Sequence, residues 1–206
     1  MSSLISLDRH VIHRETFKSE LDVRLNPYHR SVPTDMAYGV DSRIGPYGIF
    51  NGTTSKIDTQ SDWLGVGAVT IAATIYAAGW GETAGRVLGN GKTDIYVRST
   101  NSSIALFSDG VTFTTSADNS IQLNTWYRVL VTRTAAGVAN FYINGVLSGS
   151  ADQNSGTPIG GTSNAFIGNR EAADRTFDGR IALLEVRDVV LTADEVWALY
   201  NRRLYR

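Results

Sequence analysis

Trp126-Tyr127-Arg128-Val129-Leu130-Val131-Thr132-Arg133-Thr134, then Ala135-Ala136-Gly137, then Val138-Ala139-Asn140-Phe141-Tyr142-Ile143-Asn144-Gly145-Val146-Leu147, reads as three successive antiparallel strands. β-Branched and aromatic residues fill both long runs, which suits a pleated, half-covered surface. Ala135-Ala136-Gly137 supplies the first reversal. Asn144-Gly145 can supply the two positive φ angles of a type I′ turn, which would pair 141–143 with Val146–Leu147.

On either side of this stretch the chain keeps the same texture. Short apolar runs, punctuated by Gly, Asn, Asp and Ser, predict strands at 48–50, 56–59, 69–77, 86–89, 94–99, 104–108, 111–115, 127–134, 138–143, 165–167 and 180–187. Turn signals every eight to twelve residues or so predict a sandwich and not βαβ units. The run 69–77 is apolar almost throughout, as a strand covered on both faces would be. A single helix is expected from Thr192: its hydroxyl can cap free amides while Glu195 reaches back, and Val196, Leu199 and Tyr200 form the inward stripe. Arg202, Arg203 and Arg206 would then stand at the negative end of the helix dipole.

The bulk composition narrows the function classes. The chain has 206 residues, 42% hydrophobic and 19% charged, with a formal net charge of −1 and no cysteine. One domain with an appendage is the simplest division. Near-neutral charge argues against an electrostatic grip on nucleic acid or an anionic membrane. No apolar run is long enough to cross a bilayer, and no disulfide or thiolate chemistry is available. The start, Met1 to Leu7 followed at once by Asp8, Arg9 and His10, lacks the apolar core of a signal peptide. The expectation is synthesis in the host cytoplasm and residence in a larger particle.

Composition shifts near Gly45. Residues 1–45 carry six Lys/Arg, six Asp/Glu and all three histidines, but only two of the 20 glycines. Their apolar residues follow no sustained period, and Pro27 and Pro33 interrupt them. This predicts an N-terminal arm over 1–45, docking on neighbouring subunits through Leu4, Ile5, Leu7 and Phe17, ahead of an independent body over 46–206. Deleting the arm should then leave a folded body that no longer assembles.

The order of motifs resembles the laminin G-like domains of the concanavalin A-like jelly-roll superfamily. Phe50-Asn51-Gly52 with Ile57 resembles their opening strand. Val69 to Tyr76 resembles their first long core strand, and Trp126-Tyr127 their tryptophan–histidine pair with Tyr in place of His. Phe141 to Gly145 is similar to a Tyr-Val-Asn-Gly signature, and Phe177-Asp178-Gly179 through Tyr200 matches the closing strand and helix. The resemblance spans about Tyr47 to Asn201. It implies an all-β concanavalin A-like jelly-roll sandwich of two antiparallel sheets with one short C-terminal helix. Two departures bear on chemistry: an acidic pair common in relatives is here Ala182-Leu183, and a frequent Asp is Asn51. Calcium, held in such folds by clustered oxygens, would keep only Asp178, so no cofactor is expected.

Catalysis is not expected. Glycoside hydrolysis needs two carboxyl groups set roughly 5–10 Å apart across the bond. No Glu-x-Asp-x-x-Glu run is present; Glu171 and Asp174 lie in a polar loop, while Glu185 and Asp188 fall on opposite strand faces. His10-x-x-His13 lacks a third metal ligand and reads as surface histidines. Gly79-Trp80-Gly81-Glu82-Thr83-Ala84-Gly85 lacks the Lys-Ser/Thr of a phosphate loop. For a glycan, Trp80 offers a stacking face, and Asn169 and Arg170 offer polar contacts, while Trp63, Trp126 and Trp197 are expected to be packing residues.

The sequence therefore predicts a non-catalytic structural or adhesion module of a larger assembly: a bacteriophage decoration, fibre or tail protein residing in the virion. Its partners would be other virion subunits, in a homo-oligomer or capsid lattice, with a surface glycan besides. The alternative is a soluble carbohydrate-binding, lectin-like domain, with or without calcium. A glycoside hydrolase ranks third.

Overall fold

The computed structural model describes residues 10–19, 30–82 and 84–201. Leu4, Ile5 and Leu7, proposed for docking, lie outside them, as do the arginines after Asn201. The described chain forms two antiparallel sheets and one helix. The larger, nine-stranded sheet runs β13 (Val146–Leu147), β12 (Val138–Ile143), β11 (Trp126–Arg133), β6 (Val69–Ala77), β16 (Asp178–Arg187), β4 (Gly45–Asn51), β3 (Ala37–Asp41), with β1 (Val11–Glu15) added to β16 and β14 (Gln153–Asn154) to β12. The seven-stranded sheet runs β10 (Phe113–Thr115), β9 (Ser103–Phe107), β8 (Asp94–Arg98), β7 (Arg86–Gly89), β15 (Phe166–Ile167), β5 (Lys56–Asp58), β2 (Val32–Thr34).

Between them the inward side chains interdigitate. Phe50, Ile57, Ile71, Ile75, Ile95, Ile104, Phe141, Phe177 and Ile181 are each at most 1% exposed. The jelly-roll expectation and the short C-terminal helix are met. Asn144 and Gly145 take φ of 51° and 83°, as a type I′ turn requires, and Tyr142 faces Leu147 across the hairpin. Gly145 is also needed for space, because a Cβ there would come within 3.0 Å of Trp197 and Tyr200. The helix α1 (Ala193–Asn201) begins at the expected capping box: Glu195 N donates to Thr192 Oγ1 at 3.3 Å, and Thr192 N donates to Glu195 Oε2 at 2.9 Å. It lays Val196 and Leu199 on Leu130 and Tyr142, outside the larger sheet. Trp197 is half-buried, stacked on Tyr200 with ring centroids 5.7 Å apart and lying over Gly145, in line with a half-buried packing role. Among the described residues no helix is long and apolar enough to cross a membrane.

The first forty-five residues need correction, since their described parts are strands of the sandwich. β1 and β4 share one edge of β16: β1 pairs its Leu184–Arg187 half and β4 its Asp178–Ile181 half. β2 and β3 close the far edges of the two sheets. Phe17, expected to anchor a partner, is 0% exposed and meets Phe50 edge-on, with ring centroids 6.3 Å apart. His13 is no surface histidine either: it is fully buried and stacks on Trp63 at 4.4 Å, while His10 stays exposed beside Asp188. An unpaired edge of the central strand β16 would expose backbone donors and acceptors, and these short strands cover it.

Candidate functional site

The residues singled out from the sequence converge at one end of the sandwich. The 79–85 and 169–178 loops are laced together: Arg86 N donates to Arg175 O at 2.9 Å, Thr176 N to Glu82 Oε2 at 2.9 Å, and Gly79 N to Asp178 O at 3.3 Å. Convergence does not make them all available. Asn169 is fully buried: Nδ2 donates to Thr176 Oγ1 at 2.6 Å, and Oδ1 accepts the amides of Arg170 and Arg175. It is a bracket for its loop, and its assignment as a ligand contact is corrected. Arg170 grips Asp174 with two donors, one at 2.6 Å. That hydrogen bond, despite some opposing burial, holds the Asp174 carboxyl at about 2. Trp80 is half-buried against the core, with its loop closed by Gly85 N donating to Trp80 O.

Asp178 faces Asn51 across β16 and β4. The Asn51 side-chain oxygen is committed to the amides of Thr53, Thr54 and Ser55. Among the described residues no three His, Asp or Glu side chains converge as a metal site needs. The acid candidates are equally committed. Glu185 accepts from Arg14 at 2.6 Å and from Arg187, and it is 1% exposed. A carboxyl held at about 2 by its arginine, as Asp174 is, is poorly placed to protonate a leaving group near neutrality.

A surface that sequence reading missed lies on the outer face of the larger sheet. Ile49, Arg180, Tyr76 and Trp126 stand in one row across β4, β16, β6 and β11. Tyr47 joins them from β4. The ring centroids of Tyr47 and Tyr76 lie 5.7 and 5.5 Å from that of Trp126. The Arg180 guanidinium sits over both tyrosines, 5.2 Å from Tyr47 and 4.7 Å from Tyr76. No ion pair or hydrogen bond engages it among the described residues, whereas the Tyr76 hydroxyl bonds Asn124 Oδ1 at 3.2 Å. Tyr47 rests on Gly39, where a Cβ would lie 2.6 Å from its ring. All four side chains are half-buried, with one side toward solvent. The signal was present as the period-two placement of Tyr76 and Trp126 opposite the core residues Ile75 and Val129, but which rings meet depends on strand pairing.

The same face continues into a groove of about 630 Å³. Thr74 and Arg128, two residues along from Tyr76 and Trp126, line it together with Arg14, Lys18, Arg43, Arg187 and Glu185. Arg128 donates to Tyr200 O at the end of α1, and burial lowers its pKa. At the groove mouth Asp41 accepts the amides of Arg43 and Ile44, which, helped by the charges of Arg43 and Arg180, lowers its pKa.

Two layered antiparallel sheets with an open, aromatic outer face define a jelly-roll sandwich of the lectin type. Residues 51–197 match the laminin G model of the concanavalin A-like lectin/glucanases superfamily, and the chain belongs to that superfamily. No curated protein matches the sequence. Among solved structures it is similar to domain 4 of AbnA, a GH43 extracellular arabinanase from Geobacillus stearothermophilus, in complex with arabinotriose: TM-score 0.72, 17% identity, covering 93% of this chain and 98% of that domain. It is similar to the binding domain of Paraclostridial Mosquitocidal Protein 1, with TM-score 0.70, 16% identity, and coverage of 95% and 53%. A sialidase of Trypanosoma rangeli, in complex with sialic acid, aligns with TM-score 0.68 and 12% identity over 93% of this chain and 33% of that one. The chain thus spans about half of the toxin binding domain and a third of the sialidase. At these identities the likeness is one of fold.

Proposed function

We propose that this protein is a non-catalytic carbohydrate-binding module that holds a saccharide on the outer face of its larger sheet. One observation carries the reading: an aromatic platform of Tyr47, Tyr76 and Trp126 surrounds a guanidinium, Arg180, that no hydrogen bond or ion pair engages among the described residues. Aromatic faces stack on the C–H faces of pyranose or furanose rings, and a pre-positioned guanidinium donates to ring hydroxyls or carboxylates. The similarity to a sandwich captured with arabinotriose supports the reading. The committed states of Glu185 and Asp174 support a binding role over hydrolysis.

A structural role in a virion, anchored by the N-terminal segment, is the second reading. With Phe17 in the core, it rests on Leu4, Ile5 and Leu7, outside the described residues, and on no feature of the sandwich. Glycan-array binding by the full chain tests the proposal. A dominant saccharide should be lost in Trp126→Ala, with affinity down about tenfold or more, and should survive EDTA. Retention of full affinity by Trp126→Ala, alongside loss in Trp80→Ala, would move the site to the loop rim.

A further inference from the structure

We infer that the groove beside the platform selects an acidic saccharide, one carrying carboxylate or sulfate groups. This deepens the proposed carbohydrate reading and rests on it. Among the described residues the groove is lined by Arg14, Lys18, Arg43, Arg128 and Arg187 and by the carboxylate of Glu185, with Asp41 at its mouth, in a chain whose formal net charge is −1. Glu185 is shared between Arg14, which donates to one of its oxygens, and Arg187, which donates to the other. Arg43 is exposed at the mouth, and its guanidinium has no acceptor among the described residues. Arg128 spends one donor on Tyr200 O.

Arg187 supplies an independent indication. It is 1% exposed and lines the groove, yet its Nε and Nη1 have no hydrogen-bond acceptor among the described residues. Buried guanidinium donors are rarely left unmatched, since a charged donor without an acceptor forfeits its solvation. An anionic oxygen entering the groove would supply what Glu185 gives to only one of its nitrogens. The volume, about 630 Å³, falls in the range of small-ligand sites. The ring platform adjoins it on the same face, so a ligand that stacks a sugar on Trp126 or Tyr47 reaches the cations with its next residue. A longer polyanion such as nucleic acid is disfavoured by the near-neutral remainder of the molecule.

The test uses the full chain on an array of matched acidic and neutral glycans, followed by calorimetry of the hits. Oligogalacturonate against its neutral methyl ester probes carboxylate, and a heparin fragment against its desulfated form probes sulfate. An acidic member should bind about tenfold or more tighter than its counterpart, weaken steeply between low and high salt, and lose most of that advantage in Arg43→Gln. Because Arg43 is exposed, that variant should keep the parent melting temperature. An advantage in either pair supports the proposal and names the anion. Equal binding of acidic and neutral members, unaffected by Arg43→Gln but lost in Trp126→Ala, overturns the acidic preference and leaves the saccharide reading standing. Equal competition by single-stranded oligothymidylate overturns the ligand class. Silence toward every glycan overturns both.

Discussion

Arg133 ends β11 with its side chain turned into the core, 0% exposed, where burial lowers its pKa to about 10. No carboxylate pairs with it among the described residues. It donates instead to Thr93 Oγ1 at 2.8 Å and to the carbonyls of Gly65 and Gly67, tying the 64–67 loop to the smaller sheet. Arg133→Ala should therefore cost about 2–4 kcal/mol in urea unfolding, from a cavity plus stranded carbonyls. Asn169 illustrates the same point in a residue that looked like a ligand contact. Its Ala variant should lose about 2–3 kcal/mol of stability while leaving the affinity of the folded fraction for saccharide unchanged. Asp174 offers a pH readout. Its carboxyl is held at about 2, below the ordinary 3.8, chiefly by the Arg170 hydrogen bond. A depressed carboxylate pKa means the pair's stabilisation is present above about pH 4 and fades as pH falls through 2; in an NMR titration Arg170→Ala should return Asp174 toward 3.8.

Elements make the face that residues then decorate. α1 covers only one end of the larger sheet, over Leu130 and Tyr142, and leaves the row from Ile49 to Trp126 open. Its capping box was legible because a Thr-x-x-Glu pair is a local interaction, complete within four residues. Thr192→Ala should cost about 1 kcal/mol by thermal melting, fraying the first turn of α1 and leaving the far end, where Tyr200 O accepts from Arg128, in place. The β3–β4 hairpin presents Tyr47 across Gly39. Gly39→Ala meets only the far end of the Tyr47 ring, so the ring should shift rather than the hairpin unfold. The expected outcome is a melting temperature within a few degrees of the parent and a measurable loss of glycan affinity. β1 escaped sequence reading for a physical reason. His13 and Glu15 sit at its buried positions, so it shows none of the apolar alternation by which a half-covered strand is recognised.

For the whole molecule, the division into arm and body fails on truncation grounds. Removing residues 1–45 would strip β1, β2 and β3 and take Phe17 from the core, exposing β16 along half its length. The 46–206 fragment should be insoluble or molten, by near-UV circular dichroism and gel filtration, whereas Phe17→Ala in the full chain should fold with a loss of about 3–5 kcal/mol. A stable, cooperative 46–206 fragment would contradict this account. Local signals sufficed for a β-sandwich, the strands from β4 onward except β14, the type I′ hairpin and the capped helix, because periodicity, turn chemistry and capping act over a few residues; the resemblance in motif order added the jelly-roll class. Strand order, the burial of Phe17 and His13, the internal duty of Asn169, and the meeting of Tyr47, Tyr76, Trp126 and Arg180 came only with tertiary structure. Those residues lie up to more than a hundred positions apart in the chain, and only the register of four paired strands sets their side chains against one another.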